Sequence, residues 1–589
     1  MGGRKMLSER SADAIEEVDL LVCGAGAGGM TAALVAALEG LEVVLCEKTD
    51  QVGGTTSTSG GTTWVPGTHL SEQAGVPDKV EDARKFLEHV VANRSGIRLR
   101  EAFLASGRRA IEELDRRTDV KFVAAAAHPD YLDGPGAAYG GRALAPLTFD
   151  GKLLGPDDFA RVRPPRREFL GLGGMMVGRN ELDSLLKPFR SAANLRGAVS
   201  IVGRYALDRI SYRRGTRLLM GNALVGRLLY SLRKARVPLL FETAIQGLIV
   251  EDGRVVGALL DGPTGPRRIR ARKGVVLATG GICWNRKIRD RLFPQAARDY
   301  ALAPPTNTGD GADVAMAIGA GFEDGGDSPA LWMPCSSYTR PDGSLAVWPH
   351  IILDRAKPGL LAVNSTGKRF VNESDSYHDF SMGQIRDSSM PAYLVCDSTF
   401  MYRYGMGMIL PGARNLRSMV KAGYVIEART LADLAKKIGV SAGTLTKTID
   451  TYNRSAVTGV DGAFGRGKSV VNRFNGDASV QPNPCLAPVG TGPFYAMAVK
   501  PADLASSAGL SGDEFGRVLD ETGEAIPGLY ACGNDLASIF RGTYPGPGTT
   551  LGPALVFGWR VAKHAAGKLT DAPADAGATA QERTENAAL

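Results

Sequence analysis

The chain of 589 residues has few of the residues that build metal sites or disulfide frameworks. Its six histidines form no HxxxH pair, and its seven cysteines form no CxxC pair. We therefore expect no metal and no disulfides, and we expect the cysteines to be buried free thiols, as the apolar runs around Cys23 and Cys46 indicate. No apolar run reaches the roughly 18 to 20 residues of a membrane-spanning helix.

The first ten residues are charged and contain no apolar stretch typical of a signal peptide, which predicts a cytoplasmic protein. Hydrophobic residues make up 44% of the chain and charged residues 22%, as in water-soluble globular proteins. The length exceeds what one hydrophobic core organises, so we expect several domains.

Positive charge is concentrated in one part of the chain, residues 161–236, which we call the basic region. It holds 17 Lys or Arg and 4 Asp or Glu, a net charge of +13 in a chain whose total is +8. Apolar residues such as Phe169 and Met175 are interleaved with Arg161–Arg167 and Arg209–Arg214. Such a mixture suits an anionic membrane surface. No recognised nucleic-acid module accompanies it, so the alternative is a solvated face beside an ordinary helix over 221–235.

A dinucleotide site is predicted near the N-terminus. The strand-like run Val18–Cys23 leads into the glycine motif Gly24–Gly29, and the alanine-rich stretch Met30–Glu39 is typical of a helix. A second apolar run, Glu42–Cys46, ends at Glu47, 23 residues after Gly24. A carboxylate at that spacing accepts hydrogen bonds from a ribose.

Each glycine of this motif has its own expected task. Gly24 makes the tight turn, Gly26 lets the backbone approach a pyrophosphate, and Gly29 packs the helix against the strand. The helix N-terminus then faces the phosphates, where its free N–H groups bind negative charge.

The segment Arg541–Pro553, rich in glycine and proline, predicts a rigid turn before an apolar helix that starts near Leu551. It places the Tyr544 phenol close to backbone N–H groups at a helix start. Such a pair of donors polarises a ketone. The alternative interpretation is a buried turn that only seats the C-terminal helix.

Several segments resemble the fumarate reductase and 3-ketosteroid dehydrogenase group of flavoproteins: Gly53–Trp64, Val275–Gly281, Asn307–Gly311 and Gly528–Asn534. The resemblance implies FAD, held noncovalently because the loop Gly53–Trp64 lacks the histidine to which some relatives attach the flavin. The cofactor contacts expected from these motifs are Gly24, Ala25, Gly26, Gly28, Gly29, Glu47, Lys48, Gly53, Gly54, Thr55, Thr56, Ser59, Gly60, Gly61, Ala278, Thr279, Gly280, Asp310, Gly533, Asn534, Thr550 and Leu551.

The same resemblance implies an α/β fold, and the cofactor segments lie at both ends of the chain, which indicates one flavin domain interrupted by an insertion. A Rossmann-like FAD-binding domain of the glutathione-reductase type is expected to be interrupted by an inserted α+β substrate-binding cap. The expected bounds are 1–324 for the first part of the FAD-binding domain, with a basic and apolar insertion at 161–220, then 325–490 for the cap, 491–570 for the second part and 571–589 for a disordered tail.

Within this group, fumarate reductases hold dicarboxylates with arginines, one of which precedes a Leu-Gly pair; here Thr550 stands at that place. Tyr544, four residues before Gly548, instead resembles the 3-ketosteroid Δ1-dehydrogenase motif. The resemblance implies that Tyr544 and Gly548 bind the C3 carbonyl and that Tyr377 removes the C2 proton. Tyr131 is expected to lower the pKa of Tyr377, and the flavin accepts the C1 hydride.

Other interpretations stay open at this point. His378 is a competing base, although side chains adjacent on a strand point to opposite faces. The activity of a 3-ketosteroid Δ4-(5α)-dehydrogenase, of another cyclic-ketone dehydrogenase or of a fumarate reductase is an alternative, as is a noncatalytic flavin-bound protein of the membrane surface. If the basic region contacts the inner face of the cell membrane, a quinone is a plausible electron acceptor.

Overall fold

The computed structural model describes residues 16–569 apart from 93, 172, 179–180, 182–183, 186, 299–300 and 352–353. The tail expected at 571–589 lies outside the described residues. Two large sheets with helices around them dominate the described part, which confirms the predicted α/β class. Within this part, no helix combines the length and the apolar character needed to cross a bilayer. All seven cysteines are buried and free, as predicted.

The larger sheet has eight strands and a parallel centre. Its first strand, Glu17–Cys23, pairs in parallel with Val43–Cys46 on one side and with Gly265–Leu277 on the other. Residues 20–23 are all buried, as expected for a parallel strand that is covered on both faces. The other strands of this sheet are Leu239–Leu240, Ala244–Glu251, Arg254–Gly262, Arg517–Leu519 and Ala525–Ala531.

The parallel centre of the larger sheet sets the place of the site. Leu239–Leu240 and Ala525–Ala531 extend it in parallel on its two sides. The carboxyl ends of five parallel strands therefore meet at one edge, and ligands of such sheets bind outside that edge. Arg254–Gly262 and Ala244–Glu251 continue the sheet antiparallel, away from the parallel centre.

Two helices cover the parallel centre closely. Ala27–Leu38 follows the glycine motif, and the C-terminal helix, Leu551–Ala565, packs against it at Gly558, where a Cβ would lie 2.5 Å from the Gly28 carbonyl oxygen. The other α-helices of the described residues are Gly54–Thr58, His69–Gln73, Val80–Val91, Ile97–Arg117, Gly155–Arg161, Ala192–Ser211, Met220–Lys234, Arg286–Leu292, Asp310–Met316, Tyr377–Arg386, Ser398–Tyr404, Arg417–Lys421, Leu431–Ile438, Ala442–Thr458 and Val470–Asn475.

The second large sheet has six strands, all antiparallel to their neighbours. Its strands are Ala330–Thr339, Leu345–Pro349, Leu360–Val363, Ala392–Asp397, Ile426–Ala428 and Phe494–Ser506. The last strand pairs with Ala330–Thr339 and Ala392–Asp397, so the pairing of the expected cap continues past residue 490 to Ser506. The division of the chain into domains itself stays a prediction.

Four small sheets complete the described strands. One joins Thr63–Trp64, Phe122–Ala124 and Ala143–Pro146, and it carries the loop that leads to Tyr131. The others pair Phe322–Glu323 with Gly509–Leu510, Phe149–Asp150 with Arg217–Leu218, and Leu170–Gly171 with Met175–Met176.

Candidate active site

A cavity of about 360 Å³ lies outside the carboxyl edge of the parallel strands and reaches the antiparallel sheet. It is lined by every residue expected to contact the cofactor except Gly53, and by Tyr131, Tyr377, Tyr544 and Gly548 as well. Gly53 lies just behind the lining, where its N–H donates to the Ala25 carbonyl and its φ of 110° fits the left-handed region. The segments named from sequence thus converge on one cavity.

The glycine motif has the geometry that a pyrophosphate requires. Gly24 has a φ of 109°, and a Cβ there would lie 2.1 Å from the Ala278 carbonyl oxygen. At Gly26 a Cβ would meet no atom within 4 Å, so this position opens into the cavity. The N–H groups of Gly28 and Gly29, in the first turn of the helix, meet no acceptor among the described residues. The motif therefore fits a diphosphate bound at the helix N-terminus.

Charged groups at the same end of the cavity are fixed by hydrogen bonds. The Glu47 carboxylate accepts from the Ala25 N–H at 3.1 Å and from the Thr49 N–H at 3.0 Å. Lys48 Nζ lies 2.7 Å from Asp310 Oδ2, which ties the second strand to the helix at Asp310. A carboxylate fixed beside the glycine motif suits a ribose, so these residues fit an adenosine diphosphate group such as that of FAD.

The structure adds Asp535, which no sequence motif marks. Its buried carboxylate accepts hydrogen bonds from the Thr279 N–H and hydroxyl and from the Gly281 N–H, at 2.9 Å for the last. Burial raises the pKa of this carboxyl. Asp535 therefore holds in place the loop Ala278–Gly280 that lines the cavity, and it does so from behind the lining.

Three tyrosines from three separate segments meet at the other end of the cavity. The ring centroids of Tyr377 lie 5.5 Å from Tyr131 and 5.2 Å from Tyr544, both in edge-to-face geometry. Tyr131 and Tyr544 stack at 5.9 Å with an interplanar angle of 16°. All three side chains are buried and share an apolar cluster with Leu331 and Met333. The three phenol rings are thus packed together in apolar surroundings.

The backbone fixes Tyr131 relative to Tyr544. The Tyr131 N–H donates to the Pro545 carbonyl oxygen at 2.8 Å. The preceding residue, Asp130, accepts from Trp64 Nε1 at 2.8 Å and from Arg142 Nη1 at 2.7 Å. Arg142 also pairs with Asp78, and all three side chains are almost fully buried, so removing the arginine would leave two uncompensated buried carboxylates.

Tyr377 is the first residue of the helix Tyr377–Arg386, and the strand assumed there from the sequence is wrong. Ser376 caps this helix by accepting from the Asp379 N–H at 3.1 Å. The buried His378 uses both ring nitrogens: Nδ1 accepts from the Trp332 N–H at 3.1 Å, and Nε2 lies 2.9 Å from the Gly542 carbonyl oxygen. Burial also lowers its pKa, and its ring is committed to linking the helix to the Gly542 turn.

The pKa of Tyr377 is raised well above its ordinary value, first by burial and then by the neighbouring phenols of Tyr131 and Tyr544. The expectation that Tyr131 lowers the pKa of Tyr377 is therefore wrong. Burial raises the pKa of Tyr131. Its hydrogen bond with Tyr377 and the positive charge of Arg355 partly offset this increase. Tyr377 thus carries its proton at neutral pH. Within the cluster, Tyr131 is the phenol on which the positive charge of Arg355 favours a negative charge.

Arg355 is the buried cation behind the tyrosines. Its guanidinium donates to the carbonyl oxygens of His350, Ile351 and Glu373 at 2.9, 3.0 and 2.8 Å, and no carboxylate of the described residues forms an ion pair with it, although the charges of Asp354, Asp375 and Glu373 act on it from nearby. Burial lowers its pKa to about 10, which leaves it charged at neutral pH. Its positive field is therefore available to a negative charge that develops on a phenol.

Gly548 presents a free donor to the cavity. Its φ is 97°, and a Cβ there would lie 2.3 Å from the Thr62 carbonyl oxygen, so the turn requires glycine. Its carbonyl oxygen accepts from the N–H groups of Trp64 and Gly552, whereas its own N–H meets no acceptor among the described residues. Tyr544 and this N–H line the same cavity, as two donors for one carbonyl oxygen require.

Asp375, two residues before Tyr377, gives a pH prediction. Burial raises its pKa to about 6, above its ordinary value of 3.8, and Asn472 Nδ2 donates to it at 2.9 Å. Its stabilising contribution is complete below pH 3.8 and is lost as the pH rises through 6. Asp375→Asn removes this ionisation, so the variant should gain about 2 kcal/mol over the wild type between about pH 4 and 7. A difference in melting temperature that does not change over this pH range would contradict the assignment.

A polar network with the residue types of a nucleophilic triad lies outside the cavity lining. Ser336 Oγ is 2.8 Å from His350 Nε2, and His350 Nδ1 is 2.6 Å from Asp354 Oδ2. The three side chains are buried, and Ser336 is also bonded to the Tyr424 hydroxyl at 2.8 Å. Because none of these residues lines the cavity, the network holds the antiparallel sheet together and offers no nucleophile.

Sequence reasoning missed most of the lining near the tyrosines. These residues are His128, Arg166, Phe169, Leu302, Met333, Pro349, Ile351, Leu504 and Ala505. They come from loops and strands that are far apart in the chain, and no motif or spacing marks them. Most are apolar, so this end of the cavity suits a hydrophobic molecule with few polar groups.

Comparison with known proteins places these features in a family. The model of a family described as an FAD binding domain matches residues 19–551. A 4-oxocyclohex-2-ene-1-carboxylate 5-dehydrogenase from Sinomonas cyclohexanicum is 37% identical over 93% of this chain and 93% of its own. A 3-oxosteroid 1-dehydrogenase from Mycolicibacterium smegmatis is 34% identical over 93% of this chain and 97% of its own. The crystal structure of 3-ketosteroid Δ1-dehydrogenase from Sterolibacterium denitrificans with 1,4-androstadiene-3,17-dione superposes with a TM-score of 0.85, at 34% identity over 94% of this chain and all of that one.

Proposed function

Since this chain belongs to the FAD binding domain family, we propose that it is an FAD-dependent 3-ketosteroid 1-dehydrogenase, which introduces the C1–C2 double bond into the steroid A ring. Its relatives named as 3-oxosteroid 1-dehydrogenases match it over nearly their whole length, and the steroid-bound structure shares its fold. The observation that carries the proposal is the meeting of three buried phenols and the free Gly548 N–H in the cavity that also holds the dinucleotide motif.

The residues at the glycine end hold FAD in this proposal. The N-terminal turn at Gly26 receives the pyrophosphate, Glu47 receives the ribose, and the loop Gly54–Gly61 follows the flavin. When bound, FAD supplies the acceptor for the hydride that leaves C1. The protein's own residues orient the steroid ring, stabilise the negative charge that develops on the C3 oxygen and accept the C2 proton.

Tyr544 and Gly548 handle the charge. As a proton leaves C2, negative charge develops on the C3 oxygen, and the Tyr544 hydroxyl and the Gly548 N–H donate hydrogen bonds to it. Each such donor contributes on the order of 3 kcal/mol to the stability of the transition state. Tyr544 is buried among apolar side chains, and a hydrogen bond is stronger in such surroundings than in water.

Tyr377 handles the proton. Because its pKa is raised, Tyr377 carries its own proton, so it accepts the C2 proton only as that proton moves on to Tyr131 in its phenolate form, which ends the step as a neutral phenol. The positive field of Arg355 and the hydrogen bond with Tyr377 favour the Tyr131 phenolate from which this step starts, against the effect of burial. The alternative base, His378, has both nitrogens engaged away from the phenols.

Product analysis tests the reaction. Androst-4-ene-3,17-dione already contains the Δ4 bond, so a 1-dehydrogenase should convert it to 1,4-androstadiene-3,17-dione, while a Δ4-(5α)-dehydrogenase leaves it unchanged. Liquid chromatography with mass detection shows the loss of two hydrogens, and proton NMR places the new bond. Recovery of unchanged substrate together with oxidation of 5α-androstane-3,17-dione at C4–C5 would contradict the proposal.

Dehydrogenation of a monocyclic ketone is the second candidate function. It is favoured by the relative from Sinomonas cyclohexanicum at 37% identity, whose name specifies an oxocyclohexene carboxylate. Tyr544, Gly548 and Tyr377 would act on such a ring as they act on a steroid A ring. The ratio of kcat/KM for 4-oxocyclohexanecarboxylate and androst-4-ene-3,17-dione separates the two candidates.

Whereas Arg163, Arg166 and Phe169 line the cavity, we propose that another part of the basic region, residues 187–211, binds an anionic bilayer. Its helix Ala192–Ser211 has one buried side chain, Asp208, and exposes an apolar stripe that includes Val199 and Ile210, 63% and 80% exposed. Phe189, just before this helix, is 89% exposed. Exposed arginines, among them Arg196 and Arg209, flank the stripe. Apolar residues beside cationic ones suit the headgroup layer, where a steroid and a quinone acceptor also dissolve.

Co-sedimentation with phosphatidylglycerol vesicles at low salt tests this contact. The wild-type protein should pellet with the vesicles, and the double variant Val199→Asp with Ile210→Asp should lose at least about tenfold in affinity because two carboxylates enter the stripe. Val457→Asp is the matched control, since Val457 is 73% exposed on another helix. Equal pelleting of wild-type and double variant, or no pelleting of either, would contradict the proposal. Reduction of ubiquinone-1 in the same vesicles tests the acceptor.

A further inference from the structure

An arginine lines the cavity at the end where the tyrosines lie. Arg166 follows two prolines, and its Nη1 donates to the Leu302 carbonyl oxygen at 3.1 Å. Its Nη2 lies 3.5 Å from the Val347 carbonyl oxygen. Leu302 and Val347 belong to the apolar cluster of Tyr131, Tyr377 and Tyr544. The guanidinium therefore lies at the rim of the tyrosine end of the cavity.

Arg166 is incompletely neutralised by the protein. Its nearest carboxylate is Glu168, with Arg166 Nε 3.8 Å from Glu168 Oε2. Glu168 also forms a close ion pair with Arg340 and accepts from the Val347 N–H. One carboxylate thus serves two guanidiniums, and this largely buried group carries one excess positive charge. Arg166 Nε is buried and has no hydrogen-bond partner among the described residues.

The other charged residues of the lining are committed to the glycine end of the cavity. Lys48 pairs with Asp310, and Glu47 accepts from backbone N–H groups beside the glycine motif. Arg163 donates to the Thr49 hydroxyl at 3.1 Å and so belongs to that end as well. Neither described carboxylate of the lining, Glu47 or Asp310, is bonded to Arg166. The positive charge of Arg166 at the tyrosine end is therefore available to an anionic ligand.

We propose that Arg166 binds a carboxylate of the substrate, carried at the end of the molecule opposite to its ketone. This inference rests on the proposed function, because it places the ketone on Tyr544 and Gly548 and the acid at the rim. A carboxylate paired with a partly desolvated guanidinium offsets the cost of burying both charges, and arginine suits it by its planar donors. The substrate class is a cyclic ketone with an acidic group, either a steroid acid or a monocyclic keto acid.

Matched pairs of acid and ester measure the effect of the charge alone. The steroid pair is 3-oxoandrost-4-ene-17β-carboxylate and its methyl ester; the monocyclic pair is 4-oxocyclohexanecarboxylate and its methyl ester. In the wild-type enzyme, kcat/KM for one of the two acids should exceed that for its ester by at least about tenfold. The pair that shows the preference identifies the size of the substrate.

The variant Arg166→Met keeps an unbranched side chain, shorter than that of arginine, and removes the charge. We expect it to lower kcat/KM for the preferred acid by about 100-fold, mostly through KM, and to leave the ester within about twofold. Arg167→Met is the control, since the neighbouring Arg167 is 67% exposed and pairs with Asp342 outside the cavity. Flavin absorbance and melting temperature confirm that each variant is folded.

The outcomes separate this inference from the proposed function. If androst-4-ene-3,17-dione and the esters are oxidised but Arg166→Met leaves the acid-to-ester ratio unchanged, the carboxylate inference is wrong and the ketone dehydrogenase stands. An acid-to-ester ratio near one in the wild type leads to the same conclusion. If no ketone, acid or ester reduces the flavin, both are wrong.

Discussion

Tyr377→Phe should lower the rate of flavin reduction by 3-ketosteroids by at least about 1000-fold, because the ring remains and the group that receives the C2 proton is gone. The ring contacts of 5.5 Å with Tyr131 and 5.2 Å with Tyr544 involve no hydroxyl and should persist. FAD content and steroid binding should therefore match the wild type. Stopped-flow absorbance of the flavin under anaerobic conditions measures the rate directly.

The control for this variant is a buried tyrosine elsewhere. Tyr452 is 1% exposed in the helix Ala442–Thr458 and does not line the cavity, so Tyr452→Phe should reduce flavin at the wild-type rate. A Tyr377→Phe enzyme that retains more than about a tenth of the wild-type rate would show that another group takes the C2 proton. With His378 engaged through both nitrogens, Tyr131 would then be the next residue to vary.

Gly26→Val should abolish FAD binding and leave the apoprotein folded. A side chain at Gly26 meets no protein atom within 4 Å, and the backbone there, with φ −78° and ψ −178°, is one that valine adopts. The valine would fill the space that the pyrophosphate needs, and we expect the dissociation constant for FAD to rise by at least about 100-fold. Absorbance of the purified protein and titration with FAD measure this change.

Gly443→Val provides the matched control. A Cβ at Gly443 would also have no neighbour within 4 Å, but this residue lies on the exposed start of the helix Ala442–Thr458. The control should be yellow and fully loaded with flavin. A Gly26→Val protein that is equally yellow would contradict the placement of the pyrophosphate at the glycine motif.

The glycine end of the cavity could be predicted from the sequence because the motifs that form it are short and local. A strand, a glycine turn and a helix follow one another within Val18–Glu39, and Glu47 comes one strand later, so short-range spacing decides the geometry. The expected parallel strand and helix appear as Glu17–Cys23 and Ala27–Leu38. Their glycines make the close approaches for which the motif selects them.

The tyrosine end could be predicted only in part. Resemblance named Tyr131, Tyr377 and Tyr544, and the structure brings their rings within 6 Å of one another. The helix at Tyr377 was missed, although Ser376 followed by Asp379 three residues later is a sequence signal for a helix start. The sequence showed Arg166 only as part of a basic run. Nothing in the neighbouring residues indicates that its side chain contacts the strand Leu345–Pro349, about 180 residues further along the chain.

The raised pKa of Tyr377 depends on tertiary structure alone. A tyrosine in the sequence carries no information about how completely it will be buried or which phenols will surround it. The same holds for Arg355, whose role follows from carbonyl groups of three separate loop residues. Sequence reasoning therefore named the residues of the proposed proton path and gave the wrong direction for the pKa of Tyr377.

Anaerobic mixing of the FAD-loaded protein with 3-ketosteroids, cyclic keto acids and succinate tests the central claim most directly. The claim is that a cavity with Tyr544, the Gly548 N–H and Tyr377 oxidises a ketone beside its carbonyl group. We predict that androst-4-ene-3,17-dione or a cyclic keto acid bleaches the flavin. The product should contain a new double bond conjugated with the ketone, which in the steroid is the C1–C2 bond. Bleaching by succinate alone, with every ketone inert, would contradict the account.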